Sequence, residues 1–190
     1  MPDLVHQLTY DLGPTIATHL NNTLGIDPET SGRLLKQITP LILGGLNRQL
    51  QERGVEHVDQ LLTRHDDEQT LENLGERFRR IANAQGSELD SGDLLGDTGS
   101  TATQVLADHF ALDADDARRI IPMLTPVVLA ALAKKRDREA LGAEGIAALI
   151  QEDGDARVLD DVQSFLRRRL APREKKSWLA GLLGQLLLGR

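Results

Sequence analysis

The sequence contains no cysteine and very few aromatic residues. The absence of cysteine excludes disulfide bonds, thiolate metal sites and thiol catalysis, and it is common in cytoplasmic proteins. Aromatic residues make up only 3% of the chain, whereas hydrophobic residues as a whole make up 40%. The core must therefore be built from leucine, isoleucine, valine and alanine, which favours packing of helix on helix.

Long hydrophobic runs and a net positive charge are also absent. The chain opens with Met1-Pro2-Asp3 and no apolar run follows, so we predict no secretory signal. No stretch approaches the length of a membrane span. The formal charge of -7 argues against a nucleic-acid partner. Alternating β-branched runs are missing as well, so we predict an all-α fold. We also predict a cytoplasmic location, which agrees with the absence of cysteine.

The most informative feature that is present is an internal duplication. Residues 16–46 align without a gap onto residues 102–132, at a constant offset of 86. The identical positions in the first copy are Leu20, Asp27, Arg33, Thr39, Pro40, Leu43 and Leu46. Their counterparts are Leu106, Asp113, Arg119, Thr125, Pro126, Leu129 and Leu132. Because the repeated positions are apolar or helix-capping, the duplication describes packing rather than reactive chemistry.

A second block extends the duplication at an offset of 88. Residues 54–62 match residues 142–150, and Leu94-Leu95-Gly96 matches Leu182-Leu183-Gly184. We therefore predict a multihelical array of two pseudo-symmetric helical repeats. The predicted units are residues 1–96 and residues 97–190, with a Gly-, Ser- and Asp-rich linker over residues 87–101. Each unit alone would be marginal in size, so we expect the two to pack together as one body.

Each copy contains a helix start followed by a proline inside a long apolar helix. Asp27-Pro28-Glu29 combines a capping carboxylate, a proline and a first-turn acid, and Asp113 has the same role in the second copy. Thr39-Pro40 and Thr125-Pro126 predict a kink, with a helix break as the competing interpretation. The small pairs Gly44-Gly45 and Ala130-Ala131 would allow another helix to approach closely. Internal packing explains them more simply than a partner groove.

No group of residues points to catalysis, a cofactor or a metal ion. The acidic positions of the repeats are explained by helix capping, and no nucleophile elbow, phosphate loop or dinucleotide fingerprint occurs. The densest polar run, residues 65–68, is more typical of a turn than of a cation site. Two basic clusters, residues 134–136 and 167–169, follow apolar helical segments, where cations stabilise a helix C-terminus. An anionic partner is their functional alternative. We predict a protein that is not an enzyme.

The C-terminal segment does not fit ordinary fold maintenance. Residues 157–190 contain eight basic and three acidic residues, and the last part of this segment is rich in leucine and glycine. As a helix, this stretch would have a small-residue face at Ala180, Gly181, Gly184 and Gln185. Its broad apolar face would carry the predicted interaction residues Trp178, Leu179, Leu182, Leu183, Leu186 and Leu187. Each leucine left exposed forfeits about 2 kcal/mol of transfer free energy, so this face must be covered.

Three destinations for this segment compete. It can dock on its own body, on another copy of the chain to give a homo-oligomer, or in a membrane interface. Its match with Leu94-Leu95-Gly96 favours packing against protein over packing against lipid. Our prediction is a protein-interaction or self-association module. The alternatives are a peripheral membrane protein that uses the same segment, and a small-molecule binder or enzyme with a site between the repeats.

One stretch of the first copy also resembles a known family. Residues 24–30, followed by Leu34-Leu35 and residues 39–42, are similar to the core motif of the YidB-like bacterial proteins of unknown function. Residues 110–113 and 125–128 repeat this motif with Ala111 in place of glycine, which should weaken the second helix cap. The leucine- and glycine-rich end is similar too. The resemblance implies two tandem copies, an all-helical fold and no catalytic residues to carry over.

Overall fold

The computed structural model describes His6, residues 8–65, 72–84, 92–96 and 98–154, Ser164 and Arg168. All regular structure in these residues is helical, and none of it is strand. A π-helical turn at Leu8–Leu12 leads directly into the first α-helix. The α-helices are α1 (Gly13–Leu24), α2 (Pro28–Arg53), α3 (Val55–His65), α4 (Leu74–Asn83), α5 (Gly92–Leu95), α6 (Thr98–Phe110), α7 (Ala114–Arg138) and α8 (Ala143–Asp153). The all-α prediction is therefore confirmed.

The two longest helices begin with the same cap. The Asp27 carboxylate accepts hydrogen bonds from the backbone N–H groups of Glu29 and Thr30, both at 3.0 Å. The Asp113 carboxylate accepts the equivalent bonds from Asp115 and Asp116, at 2.9 and 2.8 Å. Each aspartate satisfies donors that have no partner within the helix. Both predicted helix starts are therefore confirmed.

Neither Thr-Pro pair breaks its helix. Helix α2 continues through Pro40, and α7 continues through both Pro122 and Pro126. The Thr39 hydroxyl donates to the Leu35 carbonyl at 2.8 Å, and the Thr125 hydroxyl donates to Ile121 at the same distance. A threonine bonded to the turn behind it thus precedes the shared proline in each helix, and the helix-break interpretation is wrong.

The linker prediction for residues 87–101 is wrong in its described part. Residues 92–95 form α5, and α6 has already begun at Thr98. Leu94 and Leu95 are 6% and 1% exposed, so they belong to the core. The composition of this stretch is typical of a turn, but two adjacent leucines are enough to hold one helical turn against a larger helix.

Helices α2 and α7 pack against each other, and the other α-helices pack around this pair. Helix α2 contacts α1, α3, α5 and α8, while α7 contacts α3, α4 and α6. The short helix α3 therefore packs on the long helix of the other half, and so does α8. The buried side chains are almost all aliphatic and form one cluster that extends from Leu8 to Ile150. This aliphatic core agrees with the scarcity of aromatic residues.

The end of α8 lies directly on the backbone of α2. The buried Asn47 side chain donates a hydrogen bond to the carbonyl of Gly154, the residue that follows α8. A Cβ added at Gly154 would lie 2.5 Å from the carbonyl oxygen of Leu43. Since that distance is below any normal contact, the approach requires glycine at this position.

Candidate interaction site

The predicted interaction residues Trp178, Leu179, Leu182, Leu183, Leu186 and Leu187 lie outside the described residues. Their match in the first half of the chain, Leu94-Leu95-Gly96, is described. This match makes α5 the best guide to what a Leu-Leu-Gly segment of this protein can bind.

Helix α5 lies on α2 at the position of Gly45. A Cβ added at Gly45 would lie 2.8 Å from the Leu94 carbonyl oxygen and 2.9 Å from Leu94 Cγ. It would also lie 3.2 Å from Leu95 Cδ2. The helices can approach this closely only because residue 45 has no side chain. The interpretation of Gly44-Gly45 as internal packing is therefore confirmed at Gly45.

An arginine on the same face of α2 completes this contact. Arg48 Nη2 donates to the Leu94 carbonyl oxygen at 3.3 Å. Gly96 follows with φ +56°, and a Cβ there would lie 3.1 Å from Arg48 Nη2. We call Gly45 and Arg48 the α2 seat, because together they receive the Leu-Leu-Gly segment. Arg48 is not among the residues predicted from the sequence, although a basic residue, Lys134, lies 86 positions after it.

The basic cluster at residues 134–136 is largely neutralised within the fold. Lys135 is 5% exposed, and its Nζ donates to Glu139 Oε1 at 2.8 Å. This hydrogen bond from Lys135 lowers the pKa of Glu139 below its usual value. Arg136 Nη1 reaches across to Asp59 Oδ1 on α3 at 2.9 Å. Two of the three cations therefore support internal packing rather than an anionic partner.

A second polar contact joins the halves at the surface. Arg33 of α2 lies 3.1 Å from His109 Nε2, measured from Nη2. Its guanidinium carbon lies 5.0 Å from the centre of the Phe110 ring, and the His109 ring meets Phe110 edge to face. This cation–π contact orients α2 against the end of α6. Its members are exposed or half-buried, so it stabilises the surface only modestly.

The carboxylates of the repeats act as structural caps. Backbone hydrogen bonding, chiefly from Thr30 to Asp27 and from Asp116 to Asp113, lowers the pKa of both capping aspartates. The pKa of Asp116 is raised, first by its partial burial and then by its hydrogen bond with Asp113 and the repulsion between the two carboxylates. This opposed pair lies in the first turn of α7, where capping explains both members. The pair therefore gives no independent reason to assign acid–base catalysis.

Two further histidines contact aromatic rings. His19 meets the Phe78 ring edge to face, and His6 stacks on Tyr10. His65 ends α3, where burial, together with the charges of Arg77 and Arg64, lowers its pKa. Within the described residues, no three His, Asp or Glu side chains are grouped closely enough to hold a metal ion.

Most large apolar side chains of the described residues are buried or half-buried. Tyr10, at 77% exposure, is the one large apolar side chain among them that is classed as exposed. In the same part of the chain, we find no helix with the length and apolar character needed to cross a membrane.

Comparison with known proteins places the chain in a family. A sequence profile of a bacterial protein of unknown function (DUF937) matches residues 6–135, which is more than half of the chain. The match is a single one that covers both copies of the repeated motif, rather than one match for each copy. No curated protein and no solved structure matches. With the motif, the helical fold and this match together, the chain belongs to the DUF937 family of bacterial proteins of unknown function.

Proposed function

We propose that this protein is a non-enzymatic helical module that associates with itself through its C-terminal segment, in the cytoplasm. The observation that carries the proposal is the burial of Leu94 and Leu95 against α2. The same residue pattern recurs at Leu182-Leu183-Gly184, within the segment whose apolar face needs a partner. The packing of Leu94-Leu95-Gly96 on a helix supports a protein surface, rather than lipid, as the destination of Leu182-Leu183-Gly184.

The proposal includes two intertwined pseudo-symmetric repeats, residues 1–96 and 97–190. Support comes from three pairs of equivalent contacts. Helix α1 packs on α2 as α6 packs on α7, and α3 packs on α7 as α8 packs on α2. The third pair is the matching aspartate caps. In such an arrangement the short helix of each half contacts the long helix of the other half, so contact of a further segment with another copy of the chain needs no new kind of packing.

Light scattering coupled to size exclusion tests the proposal on the full chain. We expect a mass that rises with protein concentration from one chain towards two. The test variant is Leu182→Glu with Leu186→Glu, which places two charges on the predicted apolar face. The matched control, Ala180→Glu with Gln185→Glu, places the same two charges on the predicted small-residue face.

The expected result is a monomer for the test variant and unchanged self-association for the control, both with unchanged helical content by circular dichroism. A full chain that stays monomeric at every concentration would overturn the proposal. Co-sedimentation of that monomer with anionic vesicles, weakened by salt, would support the membrane-surface alternative instead. Equal loss of association in both double variants would also contradict the assignment of the apolar face.

A further inference from the structure

We infer that the C-terminal segment binds α7 at Ala131 and Lys134, in the way that α5 binds α2 at Gly45 and Arg48. This inference rests on the proposed function and names the surface that the segment occupies. The segment is Leu182-Leu183-Gly184, and the surface belongs to a second copy of the chain. We call Ala131 and Lys134 the α7 seat.

The first support is residue equivalence on both sides of the contact. Positions 45 and 48 match positions 131 and 134 at the offset of 86 that relates α2 to α7. Leu94-Leu95-Gly96 matches Leu182-Leu183-Gly184 at the offset of 88 that relates the later parts of the two copies. A small residue and a cation are kept in the seat, and two leucines and a glycine are kept in the occupant. Both members of one observed contact therefore recur in the second half.

The second support is the state of the α7 seat. Lys134 is exposed, and Ala131 is only half-buried although it lies on a helix whose neighbouring positions are fully buried. Its neighbours Lys135 and Arg136 both have ion-pair partners within the fold. In the α2 seat the cation binds the carbonyl oxygen of the first leucine. We expect the Lys134 ammonium group to bind the carbonyl oxygen of Leu182 in the same way, as cations do at the C-terminal ends of helices.

The two seats differ in how closely a segment can approach them. A methyl group at position 45 would lie 2.8 Å from the backbone of α5, and Ala131 carries that methyl group at the matching position. A segment on the α7 seat must therefore lie further out and lose part of the contact that α5 makes. A looser contact of the same kind suits a segment that binds another copy reversibly.

Disulfide trapping tests the inference, and the natural absence of cysteine makes the background clean. The probe pair is Ala131→Cys with Leu182→Cys, because these positions match Gly45 and Leu94, which are neighbours in the α2 seat. The control pair is Ala131→Cys with Ala180→Cys, two positions from Leu182. Each pair is made both within one full-length chain and as a mixture of two single-cysteine chains, then oxidised and separated by denaturing gel.

In the mixture of the probe pair we expect a covalent dimer that exceeds what either single-cysteine chain forms alone. The control mixture should give no such excess. Adding Lys134→Glu should lower the yield of this dimer, whereas Lys36→Glu, an exposed lysine of α2, should not.

The remaining outcomes separate this inference from the proposed function. An intrachain disulfide of the probe pair, without a covalent dimer in the mixture, would overturn binding to a second copy, and together with a full chain that stays monomeric in light scattering it would overturn the self-association proposal as well. No disulfide in either format, while light scattering still shows oligomers that depend on Leu182 and Leu186, would overturn the α7 seat alone. Circular dichroism of each reduced variant verifies that the compared chains are folded.

Discussion

The two long helices of this protein end differently, although their sequences match. In the first half, the left-handed positions beside α2 are Gly25, with φ +68°, and Gly54, with φ +83°. In the second half, the positive-φ positions beside α7 are Ala111, with φ +51°, which matches Gly25 at the offset of 86, and Ala140, with φ +49°, which lies two residues before Gly142, the match of Gly54. Alanine has to accept strain in this region because of its Cβ, whereas glycine does not. At position 111 the left-handed backbone seen at Gly25 is thus kept, although the residue there is alanine.

The same glycine-to-alanine difference occurs inside the helices, at Gly45 and Ala131. There the glycine serves a close approach of α5 rather than a backbone angle. Glycine thus has two separate purposes in the first half, and at the positions that match Gly25 and Gly45 the second half carries alanine. The second half should accordingly be the less tightly held part of the molecule, which is the property that an exchanging C-terminal segment requires.

The largest effect should come from replacing Gly45 of the α2 seat with alanine, the residue at the matching position of the α7 seat. Gly45→Ala places a Cβ 2.8 Å from the Leu94 carbonyl oxygen, which is backbone and cannot move aside alone. We expect a loss of about 3 kcal/mol in the free energy of unfolding, at the upper end for overpacking. Urea unfolding followed by circular dichroism measures it. The reverse change, Ala131→Gly, should cost only about 1 kcal/mol through helix propensity. Equal losses would contradict the different depths of the two seats.

The next effect concerns the glycines that precede the short helices α3 and α8. Gly54 has φ +83° and ψ 171°, a combination that is nearly confined to glycine, whereas Gly142 has φ -75° and ψ -175°. Neither would meet an atom within 4 Å if it carried a Cβ. Gly54→Ala should therefore cost about 2 kcal/mol through backbone strain alone. Gly142→Ala should be neutral or stabilise by about 0.5 kcal/mol, since it restricts only the unfolded chain. Thermal unfolding of both variants compares them directly.

A smaller gain should follow from restoring glycine to the second half. Ala111→Gly and Ala140→Gly relieve left-handed strain, and each should stabilise by about 0.5 to 1 kcal/mol after the greater entropy of the unfolded chain is subtracted. Their effects should add, because the positions lie at opposite ends of α7. Gly25→Ala, which introduces the strain into open space, should destabilise by a similar amount. A loss of stability on Ala111→Gly would show that the strain argument is wrong.

Much of the local structure could be predicted from the sequence because it depends on neighbouring residues. The aspartate caps and the threonine hydroxyl bonds each join atoms within four positions of one another. Helix α5 could not be predicted in this way. Its four residues form a helix because Leu94 and Leu95 pack on Gly45, about fifty positions earlier, and local composition does not contain that contact.

The candidate site was predictable only in part, for the same reason. The duplication identifies Leu182-Leu183-Gly184 as a packing segment, and the small residue Ala131 predicts the close approach of another helix. The role of a cation beside it became clear only from the contact between Arg48 and Leu94. The contacts of α3 with α7 and of α8 with α2 could not be predicted either, since a repeated sequence is equally compatible with copies whose helices pack only among themselves.

The smallest effect should distinguish the ends of α3 and α8 by pH. Helix α3 ends with His65, and the matching position of α8 is Asp153. Burial and the nearby Arg77 and Arg64 lower the pKa of His65 in the folded protein. As the pH falls, the His65 imidazole therefore takes up a proton in the unfolded chain before it does so in the folded chain. The contribution of His65 to the free energy of unfolding is fully retained above pH 6.5 and is lost as the pH falls below that value.

In urea unfolding at a series of pH values, His65→Gln should flatten the decline in stability just below pH 6.5. Arg77→Gln should flatten it partly, since that arginine contributes less than burial does. A decline that is unchanged in His65→Gln would place the pH dependence elsewhere in the chain. If the decline disappears in His65→Gln, the pH dependence of stability arises in the first half, at the end of α3. An imidazole is present there, whereas the matching position of α8 is Asp153.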